Sequence, residues 1–176
     1  MVSFKAIFAA AMALAPVVLG EDVVWFENYT PQERWIVFSS NPPWNNLPDI
    51  YLPGGSRQNP GKVTVNFDNK GPDDHRDWGW RGNWKVLAPG QDHGALAILG
   101  EVCFRCDQGF RYFDVSAVLD PNSNIGVNYL FPFYDHSPNL VSGCPHFPCP
   151  YSYTKFDDVQ TKVTWDTHLV CQVKPY

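Results

Sequence analysis

Residues 99–116 constrain the fold more than any other stretch of the chain. Asp107, Gln108 and Gly109 are turn formers lying midway between Glu101 and Asp114. Folding the chain back at these residues makes a hairpin in which the two acids become directly opposed cross-strand neighbours. Alternation supports that register. Val102 and Phe104 on one arm, and Phe113, Val115 and Ala117 on the other, then share the opposite face, where a core would form. One side of the hairpin is therefore apolar, and the other sets two carboxylates side by side.

The rest of the chain extends this pattern. Beyond residue 20, no window of a dozen residues carries a helical period. Short β-branched and aromatic runs recur instead, at 23–26, 34–39, 63–67, 95–104, 110–118, 125–131, 159–165 and 169–173. Clusters such as Asn41-Pro42-Pro43, Pro53-Gly54-Gly55 and Asp120-Pro121-Asn122 separate them. The expected fold is all-β, an antiparallel β-sandwich with long loops and disulfides. Segment 68–95 reads as an extended loop carrying one strand around residues 80–86.

Residues 1–20 read as a secretory signal peptide: Lys5 forms a positive start, residues 7–19 an apolar stretch, and Val18-x-Gly20 a small-residue cleavage site. Residues 21–176 then form a single secreted domain, expected to be monomeric and to have no membrane association. Without Lys5 the formal charge moves from −5 to −6. An acidic surface repels phosphate backbones, so nucleic acid is an unfavourable partner unless a metal intervenes.

The five cysteines are Cys103, Cys106, Cys144, Cys149 and Cys171, and secretion favours their oxidation. Cys144-Pro-His-Phe-Pro-Cys149 is a loop that one bridge closes, or that Cys171 staples to the last strand. The second arrangement is the expected one, because a terminal strand needs an anchor and residues 151–165 can return as a hairpin. Cys103 and Cys106 would lie about 10 Å apart in an extended strand, beyond disulfide reach. Either the chain turns at Phe104-Arg105 or these cysteines bond elsewhere. The only N-glycosylation sequon is Asn28-Tyr29-Thr30.

Three places carry a resemblance. Glu101, followed by Asp114 in Tyr112-Phe113-Asp114-Val115-Ser116, is similar to the paired acidic strands of the thaumatin-like proteins. Cys149-Pro150-Tyr151-Ser152-Tyr153, Asp157-Asp158 and Leu169-Val170-Cys171-Gln172-Val173 resemble that family's closing segment. Gly79-Trp80-Arg81-Gly82-Asn83-Trp84 resembles the strand that supplies its cleft arginine. From 63 to 173 the chain also resembles small secreted ascomycete proteins often labelled DNase I-type. The shared motifs there are Gly82-Asn83-Trp84, Leu99-Gly100-Glu101-Val102, Tyr112-Phe113-Asp114-Val115-Ser116 and Val141-Ser142-Gly143-Cys144. The thaumatin-like resemblance implies a sandwich with an acidic cleft built on Glu101 and Asp114, flanked by Arg81 and Asp120. Asp120 lies six residues after Asp114 where the family has five, which in a strand reverses its face unless a bulge absorbs the difference.

Two adjacent carboxylates can divide labour as proton donor and ionised partner, which is the logic of glycoside hydrolysis. The structural alternative is that they pair with Arg81, or with Arg105, which shares the face of Glu101 under strict alternation. Trp78, Trp80 and Trp84 alternate in phase, so they form either an exposed platform for sugar rings or part of the core. Asp73-Asp74-His75-Arg76-Asp77 with Asp92-His93 has the residue types of a metal site and equally those of a solvated loop. The leading expectation is binding of cell-wall β-glucan, with no cofactor. Weak endo-β-1,3-glucanase activity, a secreted metal-dependent DNase and a non-enzymatic secreted effector are the alternatives.

Overall fold

A computed structural model describes residues 22–67 and 78–174. The expected signal peptide and the acidic run at 73–77 lie outside the described residues. Within them are eleven strands and no α-helix: β1 (Val23–Asn28), β2 (Arg34–Ser40), β3 (Ile50–Leu52), β4 (Gly61–Asn66), β5 (Arg81–Leu87), β6 (Leu99–Asp107), β7 (Phe110–Ser116), β8 (Tyr129–Pro132), β9 (Ser142–Gly143), β10 (Lys162–Thr164) and β11 (His168–Val173). They form a five-stranded sheet in the order β4-β1-β11-β8-β9 and a six-stranded sheet in the order β10-β7-β6-β5-β2-β3. All pairings between these strands are antiparallel except β1 with β11. The expected all-β sandwich is the observed class. No described helix is long and apolar enough to cross a membrane. Strands β3 and β9 have no counterpart among the expected runs, since three- and two-residue edge strands are too short to show alternation.

Period-two alternation builds the core. Val24 and Phe26, Ile36 and Phe38, Trp84 and Val86, Val102 and Phe104, Phe113 and Val115, and Leu169 and Cys171 all point inward and are buried. Trp84 lies near the centre, edge-on to Phe26 with ring centroids 5.3 Å apart. Gly100 is its register partner. A Cβ on Gly100 would stand 2.5 Å from Trp84 Cε2, so the indole occupies space that only glycine leaves open.

The β6–β7 hairpin forms with Glu101 opposite Asp114 and Val102 opposite Phe113, in the register read from sequence. Nearer the turn the register shifts between Cys103 and Asp107. Arg105 there adopts φ 54°, and the bend brings Cys103 and Cys106 to a Cα separation of 5.7 Å, where they are disulfide-bonded. The bulge breaks strict alternation, so Arg105 leaves the face of Glu101. Its Nε stands 2.9 Å from Asp22 Oδ2. Arg111, inward-facing on β7, donates from Nε to Asp22 Oδ1 at 2.6 Å. Asp22 is fully buried at the entrance to β1, so this triad clamps the tip of the hairpin to the opposite sheet. Burial pushes the Asp22 carboxyl up, but two guanidiniums at these distances favour the anion.

The second disulfide joins Cys144 to Cys149 and closes the proline-rich loop. Cys171 is unbonded and buried, so the expected staple to Cys144 or Cys149 is not formed. Strand β11 needs no covalent anchor, because it is hydrogen-bonded on both sides, by β1 and β8. Residues 151–165 do not return as a hairpin either. Tyr153 bridges to Ser116 and β10 pairs with β7. Burial pushes the Cys171 thiol up to about 12, against a pull from its contact with Trp84 Nε1 at 3.4 Å. The folded protein should therefore resist a thiol reagent and titrate a single thiol once denatured. A fast-reacting thiol in the native protein would contradict this arrangement.

The sequon has a structural use in the fold. Asn28 is buried, its amide donates to the carbonyls of Gln32 and Pro53, and its Oδ1 accepts from the backbone N–H and hydroxyl of Thr30.

Candidate functional site: an acidic cleft on the six-stranded sheet

The face of β5, β6 and β7 away from the core carries the polar residues. The register sets them in two rows across the sheet, Asn83–Glu101–Asp114 and Arg81–Cys103–Tyr112. The lead-in to β10 brings Thr161 beside Asp114, and Asn41 follows the end of β2. With Gly82 and Val102 these residues, except Arg81, line a cleft of about 290 Å³. Sequence reasoning missed Thr161, Asn83, Asn41 and Tyr112. Asn83 and Tyr112 were within reach of the alternation argument once the hairpin register was extended to its neighbours. Thr161 was not, because it lies 47 residues from Asp114 along the chain.

Asp114 is 7% exposed. Its Oδ2 lies 3.5 Å from Thr161 Oγ1, at the long limit of a hydrogen bond. Thr161 in turn shares a 2.8 Å hydrogen bond with the Tyr153 hydroxyl. Asp114 Oδ1 is buried with no hydrogen-bond partner among the described residues. Burial, and then the Glu101 carboxylate opposite, push Asp114 up to about 7, with Thr161 pulling weakly the other way. Burial also raises Glu101. Burial and mutual repulsion make such a pair hold on to a proton to higher pH than isolated acids do, since no cation among the described residues compensates them.

The other expected site residues are placed differently. Trp80 and Trp84 are fully buried in the core and cannot meet a ligand. Trp78 packs against the core, parallel to Trp44 at a centroid distance of 6.5 Å. Arg81 is a diagonal neighbour of Glu101 by register, but its guanidinium lies 4.5 Å from the Trp44 ring centroid and donates to the Pro42 carbonyl. Among the described residues, neither acid has an ion-pair partner. Asp120 sits in a turn beyond β7, where its carbonyl accepts from Ser123 N–H, and it does not line the cleft. His93 pairs with Asp49 at 2.9 Å, while Asp92 accepts from the Gly94 N–H. Among the described residues, no three of His, Cys, Asp and Glu are grouped as metal ligands.

No family model matches the chain. It is similar to the antigenic protein SchS21 of Stachybotrys chartarum, with 36% identity over 137 residues. The matched stretch covers 78% of this chain and 83% of that protein.

Proposed function

This chain belongs to the family of the antigenic protein SchS21, and we propose that it is a secreted, thaumatin-like protein that binds cell-wall β-glucan in the Glu101–Asp114 cleft. The observation that carries this reading is Asp114 Oδ1, a buried carboxyl oxygen without a partner among the described residues, in a cleft that Glu101 also lines. An unmade hydrogen bond at a buried polar atom is costly, and a rotation of the carboxyl that turns this oxygen into the cleft lets a ligand hydroxyl make it. A polyhydroxylated neutral chain offers donors to both acids without adding negative charge. Catalysis is a natural extension of the same geometry. Asp114, pushed up to about 7, is a proton donor at mildly acidic pH, and Glu101 is its ionised partner, the division of roles used by glucanases.

Sedimentation with insoluble β-1,3-glucan, with chitin and DNA as comparisons, tests the reading. The wild-type protein should be retained on glucan, and Glu101→Gln and Asp114→Asn should each weaken retention by about tenfold or more, the worth of a charged hydrogen bond. Equal retention of both variants would sink the cleft as the binding site.

The same unpaired oxygen favours a second reading, a divalent cation. Mg²⁺ takes hard oxygen ligands and is commonly held by one or two carboxylates while keeping several waters. Glu101 and Asp114 fit that description, with Asn83 and Thr161 beside them. A bound cation would neutralise the pair and remove the obstacle to phosphate, which moves the metal-dependent DNase alternative from the 73–77 run to this cleft. Its signature is a melting temperature that rises with Mg²⁺, together with DNA cleavage abolished by chelation and by Glu101→Gln. Absence of both signs in the wild-type protein eliminates it.

A further inference from the structure

Beside the cleft lies a groove of about 620 Å³ lined by Phe110, Tyr134, Val163, Trp165, Thr167 and neighbouring residues. The two concavities share a strand pair. Val163 on β10 is the register partner of Tyr112 on β7, and Val163 lines the groove while Tyr112 lines the cleft. Alternate residues therefore follow one face in a single file of pairs: Asp114 with Thr161, Tyr112 with Val163, Phe110 with Trp165. At about 3.3 Å per residue, the four steps from Asp114 to Phe110 extend about 13 Å, longer than a single sugar ring.

The far end of this file is aromatic and held in place without being buried. Trp165 is 61% exposed and Tyr134 66%. The Trp165 ring rests on Phe110, with centroids 3.9 Å apart. Tyr134 stands edge-on to Phe133 and to His168, and its backbone N–H is donated to Asp166 Oδ2 at 2.5 Å. Rigid exposed aromatic rings lose little entropy when a ligand covers them. Among the described residues, four carboxylates, Glu101, Asp114, Asp135 and Asp166, line the two concavities, and no lysine or arginine does. That lining disfavours a polyanion and suits a neutral polymer whose C–H faces meet the indole and whose hydroxyls meet the acids.

We propose that a glucan chain runs from the acidic cleft along β7 and β10 onto a platform made by Trp165 and Tyr134, so that the protein recognises an extended length of polymer rather than a chain end or a single sugar. This rests on the glucan reading of the cleft.

Calorimetric titration with β-1,3-gluco-oligosaccharides from the disaccharide to the hexasaccharide tests the track in the wild type, Trp165→Ala, Tyr134→Ala and Glu101→Gln. Wild-type affinity should climb with chain length. Trp165→Ala should keep the short-chain affinity and lose about tenfold on the hexasaccharide, as truncation of an aromatic anchor does, with Tyr134→Ala moving the same way. Both are surface changes, so an unchanged melting temperature is the folding control. Glu101→Gln should weaken binding at every length. If Trp165→Ala and Tyr134→Ala bind the hexasaccharide like the wild type while Glu101→Gln does not, the track is overturned and the cleft reading stands. If the wild type binds no gluco-oligosaccharide, the cleft reading falls and takes the track with it. Trp165-dependent binding of oligothymidylate with Mg²⁺, in place of glucan, would overturn the proposal in favour of a nucleic-acid polymer.

Discussion

Asp22→Asn should lower the stability of the fold by about 3–5 kcal/mol, the cost of removing one partner from a buried ion pair. The side chain is fully buried, and its two oxygens face Arg111 Nε at 2.6 Å and Arg105 Nε at 2.9 Å. Asparagine keeps the volume but leaves two guanidiniums in a poorly solvated place with no anion. The Arg111 side chain is 8% exposed and that of Arg105 19%, so water rescues Arg105 more readily than Arg111. Arg111 also makes the shorter contact with Asp22, 2.6 Å against 2.9 Å, so Arg111→Met should be more damaging than Arg105→Met. Urea denaturation checks this: the midpoint should fall with little change in slope. A loss below about 1 kcal/mol would mean that the clamp between the hairpin tip and β1 is held by packing rather than by charge.

Asp114→Asn should act in the opposite direction on stability while weakening the site. An aspartate in the unfolded chain ionises near 3.8 and in the fold near 7. Between those values the native state keeps a proton that the unfolded chain has released, so the contribution of this group to stability is greatest below about pH 4. It declines as pH rises towards 7 and then levels off. At about 1.4 kcal/mol per unit, this decline is worth roughly 2–4 kcal/mol after allowance for relaxation around the charge. The amide carries no charge to bury, so Asp114→Asn should remove most of the decline and exceed the wild type in stability at pH 8, while matching it near pH 4. Glu101→Gln removes the neighbouring negative charge and should lower the ionisation midpoint of Asp114, narrowing the window. Denaturation midpoints across pH, with carboxyl titration by NMR, measure both effects. A variant less stable than the wild type at pH 8 would show that the Asp114 carboxylate holds the fold together, in conflict with its unpaired oxygen. A site that holds back stability in the unliganded protein is expected where binding supplies the missing partner.

The all-β class and the hairpin that faces Glu101 with Asp114 were legible in the sequence. Both rest on local rules: turn formers at Asp107 to Gly109 and an alternation of period two that spans only a few residues. The phase of Trp80 with Trp84 was equally local, and the two do share a face. Which face is buried is not a local property. It is settled by stacking the five-stranded sheet on the six-stranded one, and that places these indoles in the core and the acids outside. Other features depended on contacts between distant parts of the chain. Arg105 turns to Asp22 because a disulfide-closed bulge breaks the alternation. Thr161 reaches Asp114 across 47 residues. Cys171 stays a thiol because the other four cysteines bond one another and it lies buried in the core. Alternation determines which residues stand together on a strand, whereas burial, counter-charges and cysteine partners depend on which strands meet, and that was decided only when the two sheets closed over a common core.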